Sequence, residues 1–256
     1  MLLAIDIGNS NIVWGVFQHR TLEGHWRLAT DSRKTDSEYG IVFLELLERS
    51  GYKAGDITGA IISSVVPALT PVFESMVQHY FIRTPVIVTT EIDSGLHLSY
   101  ANPKEIGSDR IVNAAAAYDL YHTDVIIIDF GTATTFCIVT AQGEYRGGVI
   151  APGLGISADA LFTRTAKLPK VEIIRPKSVI GTDTTSGIQS GLVFGYVGLV
   201  DGIIRRMEQE LGYKCKIIAT GGLAALIARE TETIHEVRPL LTLEGLALLY
   251  RRSGGT

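Results

Sequence analysis

Apolar and polar residues fall in blocks along this chain, and the blocks come in two similar series. The first series opens with an unbroken apolar run, Leu2-Leu3-Ala4-Ile5. It gives way to Asp6-Ile7-Gly8-Asn9-Ser10-Asn11 and then to a second apolar run at residues 12–17. Short apolar runs bounded by turn residues predict buried strands, so the opening reads as strand, tight polar turn, strand. A third strand is expected at residues 25–30. Residues 37–50 place Ile41, Leu44 and Leu47 at helical spacing, with Asp36 or Ser37 as the expected N-cap. A buried strand follows at residues 60–66, closed by Pro67. A helix is expected over residues 69–80, with Thr70 as N-cap and Pro71 at its first position. A strand at 85–88, a short strand containing Tyr100 and a helix at 109–118 complete the series.

The second series repeats the first. The apolar run Val125-Ile126-Ile127-Ile128 ends on Asp129-Phe130-Gly131-Thr132-Ala133-Thr134-Thr135, and another apolar run follows. Strands are expected at 125–128, 135–140 and 143–150, and helices at 155–168 and 187–211. A strand at 217–220 leads into Gly221-Gly222-Leu223, which opens another helix, and a closing helix spans 243–252. Chance gives one loop of this kind easily, but not two with matching flanks. The repeat predicts a duplicated α/β architecture, two domains with mixed sheets and helices packed on them, and a cleft between them. The expected domains are residues 1–118 and 119–256. The pattern leaves open whether the closing helix returns to the first half.

Composition narrows the class. Of 256 residues, 46% are hydrophobic and 20% charged, which suits a globular chain with a substantial core. A net charge of −4 gives no reason to expect nucleic acid or an acidic membrane as partner. Cys137 and Cys215 lie in apolar strand contexts and read as buried thiols. No Cys/His spacing suggests structural zinc, and the six histidines are scattered. The N-terminal apolar run is too short to span a bilayer and lacks a basic leader region, so a cytoplasmic protein is expected.

The polar loops are where chemistry is expected. In the 6–11 loop a glycine lets backbone N–H groups approach a ligand, and Asn9, Ser10 and Asn11 add donors of little bulk, a combination suited to phosphate oxygens. Asp6 can hold a hydrated Mg²⁺ beside a phosphate. Taken alone, such a loop can also be a plain Asn-rich hairpin turn. Gly107-Ser108-Asp109-Arg110 is a second candidate. Ser108 is expected to cap the helix that follows, which leaves Asp109 and Arg110 at its N-terminus. The acid there is either a capping residue or a general base on a substrate hydroxyl. The arginine runs against the helix dipole, which points to an anionic partner, phosphate or carboxylate. Thr184 sits in a polar loop before the long helix and reads as a helix cap. Gly195 and Gly198, inside that helix, each cost about 1 kcal/mol against alanine, so close packing at a dimer interface or within the monomer is expected to offset them.

Taken together, the 6–11 loop, the 129–135 loop and Thr220-Gly221-Gly222 resemble the phosphate-1, phosphate-2 and adenosine motifs of the actin/Hsp70/sugar-kinase superfamily. With Gly107-Ser108-Asp109-Arg110, Gly147-Gly148-Val149-Ile150-Ala151-Pro152-Gly153 and Gly181-Thr182-Asp183-Thr184, the chain resembles the type III pantothenate kinases over nearly its whole length. Ser10 stands where that family often has threonine, which keeps the hydroxyl. The resemblance implies two ribonuclease-H-like domains of the actin-like ATPase fold with a nucleotide cleft between them. It also implies ATP-dependent phosphorylation of pantothenate at its primary hydroxyl, the entry step of coenzyme A synthesis. On the same ground Asp109 is the proton acceptor. Asp6, Ile7, Gly8, Asn9, Ser10, Asn11, Ile12, Val13 and Thr132 bind ATP. Tyr100, Gly107, Ser108, Asp109, Arg110 and Thr184 bind pantothenate, Thr184 from the neighbouring subunit of a homodimer. Asp6 holds Mg²⁺ through water, and Asp129 holds a monovalent cation, potassium or ammonium. No nucleic-acid or membrane partner is implied. A kinase for another polyol and a non-enzymatic nucleotide-binding regulator are the alternatives.

Overall fold

The computed structural model describes residues 1–255. The chain forms two compact units. One comprises Met1–Asp119 together with the chain from Leu241 onward, and the other is Leu120–Leu240. The closing helix, which the expected boundary places in residues 119–256 although the pattern itself leaves its side open, belongs with the first half.

The first unit is built from β1 (Leu2–Ile7), β2 (Asn11–Gln18), β3 (Thr21–Ala29), α1 (Asp36–Arg49), β4 (Gly59–Ser64), α2 (Thr70–Phe81), β5 (Val86–Ile87), β6 (His97–Leu98) and α3 (Ser108–Tyr121). Its five-stranded sheet runs β3-β2-β1-β4-β5. β1 pairs antiparallel with β2 and parallel with β4. The unbroken apolar run in β1 follows from its central place, because a strand buried on both faces cannot alternate. Leu3, Ile5 and Ile7 belong to a core with Phe43, Leu47, Phe73 and Met76 from α1 and α2. Trp14 stacks on Phe43 at 4.1 Å and on Trp26 at 4.2 Å. The other face of β1 is covered by the closing helix, α7 (Leu241–Arg252), which packs on β1, β2 and β4.

The second unit contains β7 (Val125–Phe130), β8 (Ala133–Val139), β9 (Glu144–Pro152), α4 (Leu154–Arg164), α5 (Thr184–Leu211), β10 (Lys216–Thr220), α6 (Ala224–Ala228) and β11 (Glu236–Val237). Its own strands lie in the order β9-β8-β7-β10-β11. That is the order of the first unit with β7 in the place of β1, so the duplication expected from the two loops extends to the sheets. Ile126, Ile128, Phe136, Leu192, Val200 and Ile204 fill the core. Both cysteines are buried thiols that form no disulfide, and burial raises the Cys215 thiol to about 11.

Several local expectations shift. α1 is capped by Thr35, not by Asp36 or Ser37. The Thr35 hydroxyl accepts from Glu38 N while the Glu38 carboxylate accepts from Thr35 N, a reciprocal capping box. The residue before α2 is Leu69, and Thr70 is already helical, its hydroxyl turned to Ser64. Tyr100 lies in irregular chain beyond β6. α4 ends at Arg164, short of the expected residue 168. α5 begins at Thr184 because Asp183 and Ser186 cap it, so Thr184 is not the cap.

Candidate active site

In each unit an acid is the penultimate residue of the central strand. Asp6 faces Val13 across the antiparallel pair and Ser63 across the parallel one. Asp129 faces Thr135 and Thr220 in the same two relationships. Both acids are partly exposed while the rest of each strand is buried. The 6–11 loop closes tightly. Gly8 N donates to Asn11 O at 3.0 Å, and Asn9 and Ser10 stay exposed at its tip. Thr30 braces it from β3's end, its hydroxyl donating to Gly8 O at 2.7 Å and its N–H to Ser10 O at 3.1 Å. Nothing in the sequence singled out Thr30, because its role depends on pairing across a strand.

The matching loop in the second unit is held by the 147–153 segment. Gly153 N donates to Thr132 O at 3.2 Å. The Tyr196 hydroxyl, on α5, is hydrogen-bonded to Thr134 Oγ1 at 2.6 Å and donates to Pro152 O at 2.7 Å. Gly221, at the exit of β10, has φ +91°, and a Cβ there would stand 2.6 Å from Asp129 Oδ1 and 2.7 Å from the Phe130 backbone. Only a glycine lets this backbone lie so close against the acid, which explains the first of the two glycines read as an adenosine motif.

α3 carries the third constellation, within the first unit. The expected cap at Ser108 is overturned. Ser108 is the first residue of the helix, and its hydroxyl points to β4 instead of to the helix's own N–H groups. The first-turn amides are satisfied otherwise. Arg110 N donates to Asp109 Oδ1 at 2.7 Å and to Gly107 O at 3.1 Å. A Cβ on Gly107 would sit 2.5 Å from Asp109 Oδ1, so that position must stay bare for the carboxyl to hold its place. Part of Asp109 reaches solvent, but its carboxyl is desolvated enough to raise its pKa above the ordinary value, against the backbone N–H of Arg110 and the guanidinium charge, which pull it down. Arg110 itself is only 7% exposed. Thus Gly107, Ser108, Asp109 and Arg110 are together at one helix start beside the strand that neighbours Asp6. Tyr100 is half-buried, and Thr184 is exposed at the start of α5.

The profile of the type III pantothenate kinases matches residues 2–206 of this chain. A type III pantothenate kinase of Myxococcus xanthus (strain DK1622) is 50% identical to it over 253 residues, covering 99% of each chain. The chain belongs to the type III pantothenate kinase family. As a member of that family it is a kinase that phosphorylates pantothenate with ATP in coenzyme A biosynthesis. Solved structures agree on the fold. A Campylobacter jejuni protein assigned to the Baf family of transcriptional activators is 18% identical, covers 98% of each chain and superposes with a TM-score of 0.62. A Sinorhizobium meliloti protein assigned as a 2-dehydro-3-deoxygalactonokinase is 14% identical with a TM-score of 0.60, covering 98% of this chain and 96% of its own. The activator of the 2-hydroxyisocaproyl-CoA dehydratase from Clostridium difficile, solved with bound ADPNP, is 11% identical with a TM-score of 0.54, covering 99% and 94%. The two matching units thus have the actin-like kinase fold, as the loops of this type III pantothenate kinase family member led one to expect.

Proposed function

We propose that the transfer is carried out by Asp109 as general base, with the pantothenate site built around the start of α3. The observation that supports this is a carboxyl with a raised pKa, desolvated and kept clear by Gly107, in the segment that resembles the family's substrate motif. The primary hydroxyl of pantothenate gives its proton to Asp109 as its oxygen bonds to the γ-phosphorus, and the bond to the ADP oxygen breaks. A base poised somewhat above the usual carboxylate range is better matched to that proton. Gly107, Arg110, Tyr100 and Thr184 are assigned to pantothenate, with Ser108 in the same segment. Asp6, Ile7, Gly8, Asn9, Ser10, Asn11, Ile12 and Val13 are assigned to ATP with Thr132, the exposed tip of the 6–11 loop offering donors to phosphate.

Among the described residues no cluster of three or more His, Cys, Asp or Glu is placed to hold a metal. A lone, partly exposed carboxylate such as Asp6 suits Mg²⁺, which keeps several waters and takes its other ligands from the nucleotide. Mg²⁺ brought with ATP would neutralise charge on the phosphates during transfer. Asp129, an oxygen donor with bare glycine backbone against it, suits a monovalent cation, potassium or ammonium.

A cytoplasmic homodimer completes the reading. α5 is long and apolar enough to cross a membrane by length and composition, but its inner face packs Leu192, Val200 and Ile204 into the second unit's core. On its outer side a Cβ added at Gly187, Gly191, Gly195 or Gly198 would meet nothing within 4 Å. Packing within the monomer therefore does not explain these glycines, and close approach of a second copy does. A groove of about 560 Å³ beside them, lined by Leu161, Leu168, Thr184 and Ile188 among others, puts Thr184 at that surface.

The reading is tested by ADP release with pantothenate, with glucose and with no acceptor, each in potassium, ammonium and sodium buffers. Turnover is expected with pantothenate alone, and only when potassium or ammonium is present. Glucose-dependent turnover would overturn the acceptor assignment, and full activity in sodium alone would overturn the cation assignment at Asp129.

A further inference from the structure

Ser108 lies within the segment assigned to substrate, yet its hydroxyl has no capacity left for a ligand. A serine hydroxyl offers one proton and two acceptor positions. Ser108 Oγ donates to Ser64 O at 3.0 Å and accepts from Ser64 N at 3.0 Å. Its third contact is Ser63 Oγ at 3.0 Å, and since the Ser108 proton is already committed, Ser63 is the donor there. Ser63 is fully buried and Ser108 is 8% exposed.

These bonds join the helix start that carries Asp109 to the strand beside Asp6. Ser63 stands directly across the parallel ladder from Asp6. Ser64 pairs in register with Ile7, and Val65 N donates to Ile7 O at 3.0 Å. Ser64 in turn has its own hydroxyl fixed, donating to Val66 O at 3.2 Å and accepting from Thr70 Oγ1 at 2.9 Å. The end of β4 is therefore rigid, tied to β1 on one side and to the start of α2 on the other. The first residue of α3 is fastened to that rigid end, and Asp109 is the next residue along.

We propose that Ser108 and Ser63 are positioning residues, a buried hydroxyl clamp that sets the Asp109 carboxyl relative to the strand bearing Asp6, and that the Ser108 side chain does not contact pantothenate. The proposal rests on the assignment of Asp109 as general base. Buried, fully paired polar groups fix one geometry because any shift leaves a group unpaired, and small displacements of a reacting group cost rate steeply. A polar pair at the end of the otherwise apolar run Ala60-Ile61-Ile62 is the visible sequence trace of the clamp.

The test is steady-state kinetics of Ser63→Ala and Ser108→Ala, each alone and each combined with Asp109→Asn, with melting curves for all. Ser63→Ala removes one bond and leaves Ser108 anchored to Ser64, so it carries the test should Ser108→Ala fail to fold. Each serine variant is expected to lower kcat by about tenfold or more, with the KM for pantothenate unchanged within about twofold. In the Asp109→Asn background the same serine changes should alter kcat by less than about twofold, since a base that is absent cannot be misplaced. A raised KM at constant kcat in Ser108→Ala would show a direct substrate contact and overturn the proposal. So would an unaltered kcat in folded Ser63→Ala, or an undiminished loss in the Asp109→Asn background. The Asp109→Asn single variant reports separately on the base, so failure of that assignment is not confused with failure of the clamp.

Discussion

Asp109→Asn is expected to lower kcat by roughly 10²–10⁴-fold, the usual contribution of a positioned general base, while the protein melts at the same temperature as the parent or higher. The second half of that expectation comes from electrostatics. Desolvation raises the Asp109 pKa in the folded chain above the ordinary aspartate value, so the folded state holds this proton more tightly than the unfolded one. The stabilising contribution is then complete below the unfolded pKa and is lost as pH rises through the folded one. At neutral pH the ionised carboxyl is a net cost to the fold, which the neutral amide removes. The melting-temperature advantage of Asp109→Asn should therefore be present at pH 7 and should vanish on acidification toward pH about 4, near the unfolded carboxylate value. In the parent, loss of kcat on the acid side should begin above the ordinary carboxylate range for the same reason. Near-normal turnover in a folded Asp109→Asn would reject the base assignment. A lowered melting temperature at neutral pH would reject the account of its desolvation.

Arg110→Ala is expected to damage pantothenate use by at least tenfold, a change that requires only about 1.4 kcal/mol, while slow hydrolysis of ATP without acceptor is unaffected. Arg110 is almost entirely buried at the helix end where the dipole disfavours a cation. Its charge already acts on the neighbouring Asp109 carboxyl. A guanidinium in such surroundings makes strong charge-assisted bonds. Pantothenate brings a carboxylate that sugars lack, and ATP brings phosphates. Steady-state kinetics with and without pantothenate separates the two. Loss of both activities together would assign Arg110 to phosphate, and loss of neither would move the substrate site away from this helix.

Local chemistry was legible in the sequence where it was carried by contiguous residues. The two Asp-x-Gly loops announced themselves, and the sheets they open share one strand order. The strand order itself was hidden, since pairing between β1 and β4 joins residues far apart in the chain. Helix starts are ambiguous for a narrower reason. Thr35-Asp36-Ser37-Glu38 contains the capping box that the structure uses, but Asp36 and Ser37 are also capping types and lie nearer the apolar stripe. At α5 the glycine at position 187 reads as the helix start, although Asp183 and Ser186 three residues apart already form a cap. Ser108 reads as a cap because a serine before a helix usually is one, and only the tertiary contact with Ser63 and Ser64 outcompetes that local preference. Thr30 and Tyr196 brace the two loops through contacts distant in sequence, which no single-sequence pattern encodes.

The return of α7 has a consequence for how the protein is made. Gly245 packs so closely on α3 that a Cβ would stand 2.5 Å from Val112 O, Thr242 Oγ1 donates to Asn113 Oδ1 at 2.8 Å, and a Cβ on Gly59 would collide with the Tyr250 hydroxyl. α7 is thus part of the foundation beneath β1, β4 and the helix that bears Asp109. On the ribosome the residues of Leu120–Leu240 emerge as one uninterrupted stretch and can fold while synthesis continues. The other unit is assembled from chain on both sides of that stretch, so it closes only after α7 has left the exit tunnel. The half of the protein that is translated first is the last to be finished, and a nascent chain arrested before Leu241 should protect the second unit from protease while leaving the first open to cleavage.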